Sequence, residues 1–476
     1  MESPDHIAVS LKAQANLGTD ASGHSRHAAS NPAGTRVLIH NAPFLFTCDE
    51  FEKISIKIRH SVAIEGNTIT DVLPADQVNP NNFDRVYDAG KRGGVVLTPG
   101  LINTHTHPPM YLLRSAMMLD EGEGIDETIA SMPQWERAME PDQYTIAAIG
   151  DITEEQKHGI TTTLSHYGVF EPMEEAARST GHNIINALSA ASNSHPENTP
   201  ELIERLIERR DTLTSTVAAS LHYLYKASPD VLDKIAAMVR EHDILFTCHT
   251  AESEMVAREC EKRHRAREIP TLKKHGLLNK NTIISHAIYV SDADIKDIAE
   301  HQVGIAHLPT SNVIHKSGTF PYWKFDEAGA FRNITLGTDS VVSKSRLDLL
   351  TEAYQTRITH LYHRTVKFSS LFKMMTVNGG RILHEPERGR IIKGAKADIA
   401  FWKLKDRGSI PYDEDNPVTL LGNIITHGGR YVRDLMINGR FIIKDRRHQF
   451  IDESKLLSET QRAHMAMRTH VRSQNS

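Results

Sequence analysis

Between about residues 97 and 385, short apolar runs alternate with longer segments in which apolar residues recur at helical spacing. The helical segments include PELIERLIERRDTL, SPDVLDKIAAMVREH and SDADIKDIAEHQ. Continuous apolar runs of this kind are typical of parallel strands that are buried on both faces. Eight such strands alternating with helices predict an α/β fold, a (β/α)₈ barrel of the TIM type. The eight predicted strands are LTPGLINTH, ITTTLSH, NIINALSA, TVAASLH, ILFTCHT, NTIISHA, VGIAHL and NITLGTD.

Both ends of this central region are flanked by short β-type runs with turn residues between them. Such runs fill residues 36–96 and 386–455, and the dipeptides that begin at Gly66 and Asn438 stand between paired runs like two-residue hairpin turns. Since neither set is large, we expect one small composite β-sandwich domain assembled from both chain ends.

The remaining segments complete the predicted domain organisation around the barrel at 97–385. Residues 456–476 have helical spacing and predict a C-terminal helix. Residues 1–35 are polar and rich in Ser, Ala, Asn and Gly, without a basic start followed by an apolar core. They predict a disordered tail and not a signal peptide.

Polar side chains mark the ends of the predicted barrel strands. In barrels of this type the active site is built at the carboxyl ends of the strands, so these residues are expected to meet at one mouth. Six of the eight strands finish on histidine and the last on aspartate, at His105 and His107, His166, His222, His249, His286, His307 and Asp339.

Composition and charge exclude several classes of partner. The net charge is −5 over 476 residues, which gives no basic surface for nucleic acid, and no apolar run is long enough to span a membrane. Three cysteines without a CxxC pair fit a cytoplasmic, reducing setting. The chain has no glycine-rich phosphate loop and no PCxxC motif of the base-flipping zinc deaminases.

The His-x-His pair at His105 and His107 is the first candidate for metal binding. Alone it is a weak signal, since paired surface histidines are common, although side chains two apart on a strand face the same way. His249 and Asp339, at the ends of the fifth and eighth strands, change the picture. Three imidazoles and one carboxylate suit a single Zn²⁺ with an open position, and Fe²⁺ remains an alternative.

Two further residues near these ligands have both an ordinary and a catalytic interpretation. Glu252, three residues beyond His249, is either a solvated loop carboxylate or a general acid/base beside the metal. His286 is either a packed core histidine or a group that orients the attacking water and stabilises developing negative charge.

A series of motifs gives the chain a family resemblance from about residue 36 to residue 445. PGLINTHTH, HGITTT, LHYLYKASP, HTAES, ISHAIYVSDADI, HLPTSNVIHKSG, LGTDS and GRIIKGAKADIAFW follow one another in the order seen in the amidohydrolase superfamily. The chain resembles its metal-dependent branch of heterocycle deaminases and triazine hydrolases, which includes deaminases of cytosine, guanine and S-adenosylhomocysteine and an atrazine chlorohydrolase.

The resemblance implies a role for individual residues. The end of the fourth strand carries a histidine where two-metal relatives have a carboxylated lysine, so one metal ion is expected. Ser115 stands where relatives usually have Gly, and the third strand lacks an arginine associated with adenosylhomocysteine-type deaminases. The roles implied are metal ligation by His105, His107, His249 and Asp339, proton transfer by Glu252, catalysis by His286 with Asp339, and substrate binding by His222, Tyr225 and Arg114.

The function expected from these residues is hydrolytic deamination of an amino-substituted nitrogen heterocycle, with release of ammonia. A bound metal would activate water at neutral pH, and Glu252 would shuttle the proton. A triazine-type hydrolase that expels chloride or an alkylamine is the alternative, and a catalytically inactive scaffold is a remote one. We expect a small heterocyclic substrate and a homo-oligomer, with neither nucleic acid nor membrane as a partner.

Overall fold

A computed structural model describes residues 34–116, 124–343, 346–428 and 431–474. Residues 1–33 of the predicted tail lie outside this range. The strands in the described part are β1 (Arg36–Cys48), β2 (Ile54–Glu65), β3 (Thr68–Pro74), β4 (Arg85–Asp88), β5 (Val95–Pro99), β6 (Leu101–Thr106), β7 (Ile160–Tyr167), β8 (Asn183–Ser189), β9 (Thr216–Tyr223), β10 (Phe246–Thr250), β11 (Thr282–His286), β12 (Gly304–His307), β13 (Ile334–Leu336), β14 (Ile399–Lys403), β15 (Asp434–Ile437), β16 (Arg440–Lys444) and β17 (Arg447–His448).

Helices lie between the barrel strands where the periodicity predicts them. Two of them begin with a side-chain cap followed by proline: Thr199 accepts a hydrogen bond from the backbone of Leu202, and Ser228 accepts one from Val231. The α-helices are α1 (Ile125–Glu136), α2 (Pro141–Lys157), α3 (Glu171–Thr180), α4 (Pro200–Glu208), α5 (Pro229–His242), α6 (Glu254–His264), α7 (Glu268–Lys274), α8 (Asp292–Glu300), α9 (Pro309–Ile314), α10 (Tyr322–Glu327), α11 (Leu349–His360), α12 (Phe368–Met375), α13 (Val377–Ile382), α14 (Val418–Asn423) and α15 (Glu453–Gln474).

The strands β6 to β13 form one parallel sheet in sequence order, and they confirm the predicted (β/α)₈ barrel. The sheet is nearly closed, since Thr106 at the end of β6 makes a parallel bridge to Asp339 just beyond β13. All eight predicted strands are present, and their buried runs form the core of the barrel with the surrounding helices.

The strands from the two chain ends form a second, nine-stranded sheet. Its order is β17-β16-β15-β14-β5-β1-β2-β3, and β4 pairs with β1. Both predicted two-residue turns are present: Glu65 pairs with Thr68, and Ile437 pairs with Arg440. Apolar residues from both ends share one core, so neither end is a separate folding unit.

The first predicted barrel strand belongs to both sheets. Residues Val95–Pro99 pair in the terminal sheet, and Leu101–Thr106 begin the barrel. Gly100 lies between them, so close to β7 that a Cβ atom there would stand 2.1 Å from the Oγ1 of Thr161. Across the described residues, no helix combines the length and the apolar character needed to cross a membrane.

Candidate active site

The carboxyl ends of three strands bring the four predicted metal ligands together. His105 and His107 lie at the end of β6, His249 is on β10, and Asp339 follows β13 with a φ of 57°. One ligand atom from each residue lies within 4.8 Å of the others, and all four side chains are buried. Gly337 permits this approach, since a Cβ there would stand 2.8 Å from the backbone oxygen of His105.

Hydrogen bonds to the backbone decide which ring nitrogen of two histidines carries the proton. His249 Nδ1 lies 2.8 Å from the carbonyl oxygen of His222, and His107 Nδ1 lies 2.5 Å from that of His166. A carbonyl only accepts, so both Nδ1 atoms donate and both Nε2 atoms carry lone pairs. Such backbone bonds are typical of histidines whose other nitrogen binds a metal.

The Nε2 lone pairs of His107 and His249 face each other, and the ligand atoms of His105 and Asp339 lie beside them. His249 Nε2 lies 3.3 Å from His107 Nε2 and 3.1 Å from His105 Nε2, and Asp339 Oδ1 lies 3.3 Å from His107 Nε2. Burial first, and then the neighbouring histidines, hold the pKa of His249 well below its ordinary value, so protonation does not relieve the contact. A cation among these atoms satisfies all of them, and the four residues form a metal-binding site.

Glu252 and His286 form a second buried group beside the metal ligands. Glu252 Oε1 lies 3.4 Å from His286 Nε2, and Oε2 accepts a hydrogen bond of 2.7 Å from the Tyr223 hydroxyl. His286 Nδ1 lies 2.9 Å from Asn312 Oδ1, which fixes the ring. Burial raises the pKa of Glu252, Asp339 adds to this, and His286 opposes it. The solvated-loop interpretation of Glu252 is therefore wrong for this structure.

A cavity of about 970 Å³, including its open mouth, leads to these groups. Helix α1 forms one apolar wall, with Ile129 and Met132 among its lining residues. The polar part of the lining contains His222, Lys226 and the segment around Ser194. The metal ligands His107, His249 and Asp339 line the same cavity.

Two of the predicted substrate contacts lie outside this cavity lining. Arg114 donates a hydrogen bond of 2.8 Å to Glu154 and lies over the Tyr111 ring at 4.4 Å. Tyr225 stacks on Tyr223 at 5.4 Å and packs against the core. Among the predicted substrate-binding residues, His222 alone lines the cavity within the described part of the chain.

Several lining residues were given no functional role in the sequence analysis. His166 stacks on His249 at 4.8 Å and is buried with neither ring nitrogen hydrogen-bonded in the described structure. Tyr223, Lys226 and Glu136 also line the cavity. The strand-end position of His166 predicted its place at the mouth, whereas Glu136 lies in a helix with no motif around it.

Comparison with known proteins places this architecture among hydrolases. The model of the amidohydrolase family matches residues 96–442. A 5-methylthioadenosine/S-adenosylhomocysteine deaminase of Halothermothrix orenii is 28% identical over 436 residues, which cover 88% of this chain and 97% of the relative. A deaminase of the same name from Pyrococcus abyssi is 29% identical, with 84% of this chain and 93% of the relative covered.

Solved structures share the fold at lower identity. An adenosine deaminase from Xanthomonas campestris with bound zinc has a TM-score of 0.83 at 21% identity, covering 92% of this chain and 100% of its own. An atrazine chlorohydrolase from Arthrobacter aurescens TC1 complexed with zinc has a TM-score of 0.81 at 20% identity, covering 90% of this chain and 100% of its own. At such identities the likeness shows a common fold.

Proposed function

The chain belongs to the amidohydrolase family, and from this we propose that it is a metal-dependent hydrolytic deaminase of an amino-substituted nitrogen heterocycle. One observation carries the proposal: a site with three histidines and one aspartate shares a cavity with a buried carboxyl group of raised pKa, Glu252. The 5-methylthioadenosine/S-adenosylhomocysteine deaminases, which match most of this chain, support an aminated purine as the first class of substrate to test.

We propose one zinc ion, held by His105, His107, His249 and Asp339. Among the described residues these four form the one group of candidate ligands, and zinc is present in the similar structures. When bound, a divalent metal supplies a Lewis acid that makes water nucleophilic at neutral pH. Iron(II) is the alternative, because imidazole and carboxylate suit both metals.

Glu252 performs the proton transfers in this proposal. Its carboxylate removes a proton from the attacking water and delivers it to the ring nitrogen, which makes the adjacent carbon more electrophilic. The Nδ1–H of His286 donates to Asn312, so His286 Nε2 faces Glu252 as a proton acceptor. The carboxylate then takes the second proton, from the new C–OH group as it becomes C=O, and gives it to the departing amine, since an amide ion is too basic to leave.

The alternative leaving groups are chloride and an alkylamine. Chloride departs without a proton, and retention of the full Glu252–His286 pair therefore favours deamination. The likeness to the atrazine chlorohydrolase, at 20% identity, supports a common fold and carries no information about the substrate. The inactive scaffold is disfavoured, because all four candidate ligands and Glu252 are present and in contact range.

The test pairs two substrates that differ in the leaving group. Zinc-loaded protein is assayed with adenosine and with 6-chloropurine riboside, alongside a panel of aminated pyrimidines, pterins and triazines, for release of ammonia or chloride. We expect about one zinc per chain, ammonia release, and a higher kcat/KM for the amino compound. Chelation, or Asp339→Asn, is expected to abolish turnover. A preference for the chloro compound would contradict the deaminase assignment and leave the metal site intact.

The cellular location and the oligomeric state of the protein belong to the same proposal. A cytoplasmic location is supported by Cys48, Cys248 and Cys260, which are buried free thiols. A homo-oligomer is supported by exposed apolar side chains on and after α11, including Ile358 and Leu361, and light scattering of the purified protein measures it.

A further inference from the structure

Lys226 is a partly buried cation in the wall of the cavity. It lies in the short 3-10 helix Leu224–Lys226 that follows β9, and among the described lining residues it is the one lysine or arginine. Its ammonium has no carboxylate within 4.0 Å in the described structure. Its hydrogen bond of 2.8 Å goes instead to His222 Nδ1. A partly buried charge that contacts an imidazole and no counterion needs an explanation.

The contacts of Lys226 favour its charged form. An ordinary lysine pKa of about 10.4 lies more than three units above neutrality. Burial lowers the pKa of Lys226 below that ordinary value, and the nearby charge of Glu136 offsets only part of the shift. The ammonium also lies 5.5 Å from the centre of the Tyr223 ring, a favourable position for a cation. An ammonium has three hydrogens and no lone pair, so it can only donate.

A donor on Nδ1 fixes the tautomer of His222. Nδ1 must supply the lone pair, so the ring proton of neutral His222 lies on Nε2. No described group hydrogen-bonds Nε2, and the ring lines the cavity. Stacking on Tyr223 at 4.5 Å and edge contact with His249 at 4.8 Å hold the ring plane.

We propose that Lys226 is a positioning residue that holds His222 as an Nε2–H donor toward the substrate. Without Lys226 either ring nitrogen can carry the proton, and the donor toward the substrate is no longer fixed. The consequence for substrate class rests on the proposed function: the preferred heterocycle presents an acceptor to His222, either an unprotonated ring nitrogen or an oxo oxygen. A ring N–H at that point would meet another donor and be rejected.

The tautomer is measured directly, without a substrate. Zinc-loaded protein labelled with ¹⁵N in histidine is examined by long-range ¹H–¹⁵N NMR, and His222 is assigned by its absence in His222→Gln. We expect an unprotonated Nδ1 and a protonated Nε2 in the wild type. Lys226→Met keeps the apolar stem and should shift the His222 signals toward mixed tautomers. Lys234→Met, an exposed lysine paired with Glu201, is the control and should leave them unchanged.

Three outcomes would overturn the proposal: a protonated Nδ1 in the wild type, unchanged His222 signals in Lys226→Met, or the same shift in Lys234→Met. The kinetic arm uses whichever amino heterocycle releases ammonia. There Lys226→Met should lower kcat/KM by about tenfold or more, the scale of one lost charge-assisted hydrogen bond. If no heterocycle releases ammonia, the proposed function fails, and the NMR result still decides the role of Lys226.

Discussion

At the scale of single residues, Glu252 carries the sharpest catalytic prediction. Glu252→Gln keeps the size of the side chain and its hydrogen bond to Tyr223 but removes the carboxyl group that can take up and release a proton. Zinc content should stay near one per chain, and turnover should fall by at least about 10²-fold, the usual scale for a lost acid/base group. Glu268→Gln is the matched control, because Glu268 is also buried, outside the cavity lining, and accepts from the backbone of Ala251. Equal turnover in both variants would contradict the proton-transfer role.

Some residues of the site could be predicted from the sequence, and others could not. His105, His107, His249 and Asp339 could be predicted because barrel strands converge at their carboxyl ends, so residues far apart in sequence must meet there. The sequence alone could not show which of Arg114 and Lys226 lines the cavity, because both are cations near strand ends. What separates them is the presence of Glu154 beside Arg114 and of the cavity beside Lys226, and both depend on side-chain packing.

At the scale of elements, the junction of β5 and β6 is expected to tolerate little change. A methyl group at residue 100 would stand 2.1 Å from Thr161 Oγ1 and 2.7 Å from its Cβ. Gly100→Ala should therefore lower the free energy of unfolding by about 1–3 kcal/mol, as overpacking in cores does. It should also weaken zinc binding, because β6 carries two of the ligands. Unfolding in urea and zinc titration measure the two effects.

Gly90→Ala is the control for that prediction. Gly90 has an ordinary helical φ of −80°, and the nearest atom to an added Cβ is 3.1 Å away on the side chain of Asn41, which can move. Its stability and zinc affinity should stay close to those of the wild type. If Gly100→Ala behaves in the same way, the junction does not position β6.

The elements themselves were predictable, and their division between sheets was not. Periodicity gave all eight barrel strands, and the turn residues gave both hairpins. The run LTPGLINTH reads as one strand, since its apolar residues are continuous. It serves two sheets because Gly100 lets the backbone pass close to Thr161, a contact between residues 61 positions apart in sequence.

At the scale of the whole molecule, the contact between the terminal sheet and the barrel should depend on pH. His448 on β17 bonds to Gln156 on α2 through Nε2 at 2.9 Å, and its Nδ1 accepts from the backbone of Ile451 at 2.9 Å. The bond to Ile451 requires the neutral ring, because a protonated Nδ1 has no lone pair to accept with, whereas Nε2–H can donate to Gln156 in either state. Burial, and after it the charge of Lys157, lowers the pKa of His448 from 6.5 to about 3. Folded protein therefore resists protonation that the unfolded chain accepts.

The sign of the effect follows from that difference. Above pH 6.5 both states are neutral at His448 and the contribution is complete, and it is lost as the pH falls toward 3 by about 1.4 kcal/mol for each pH unit. His448→Asn cannot take up a proton. The free energy of unfolding in urea should fall between pH 7 and pH 5 in both proteins. In His448→Asn it should fall by up to about 2 kcal/mol less than in the wild type. His363→Asn, at an exposed position, should keep the wild-type slope. If His448→Asn keeps it too, His448 does not couple the sheet to the barrel in this way.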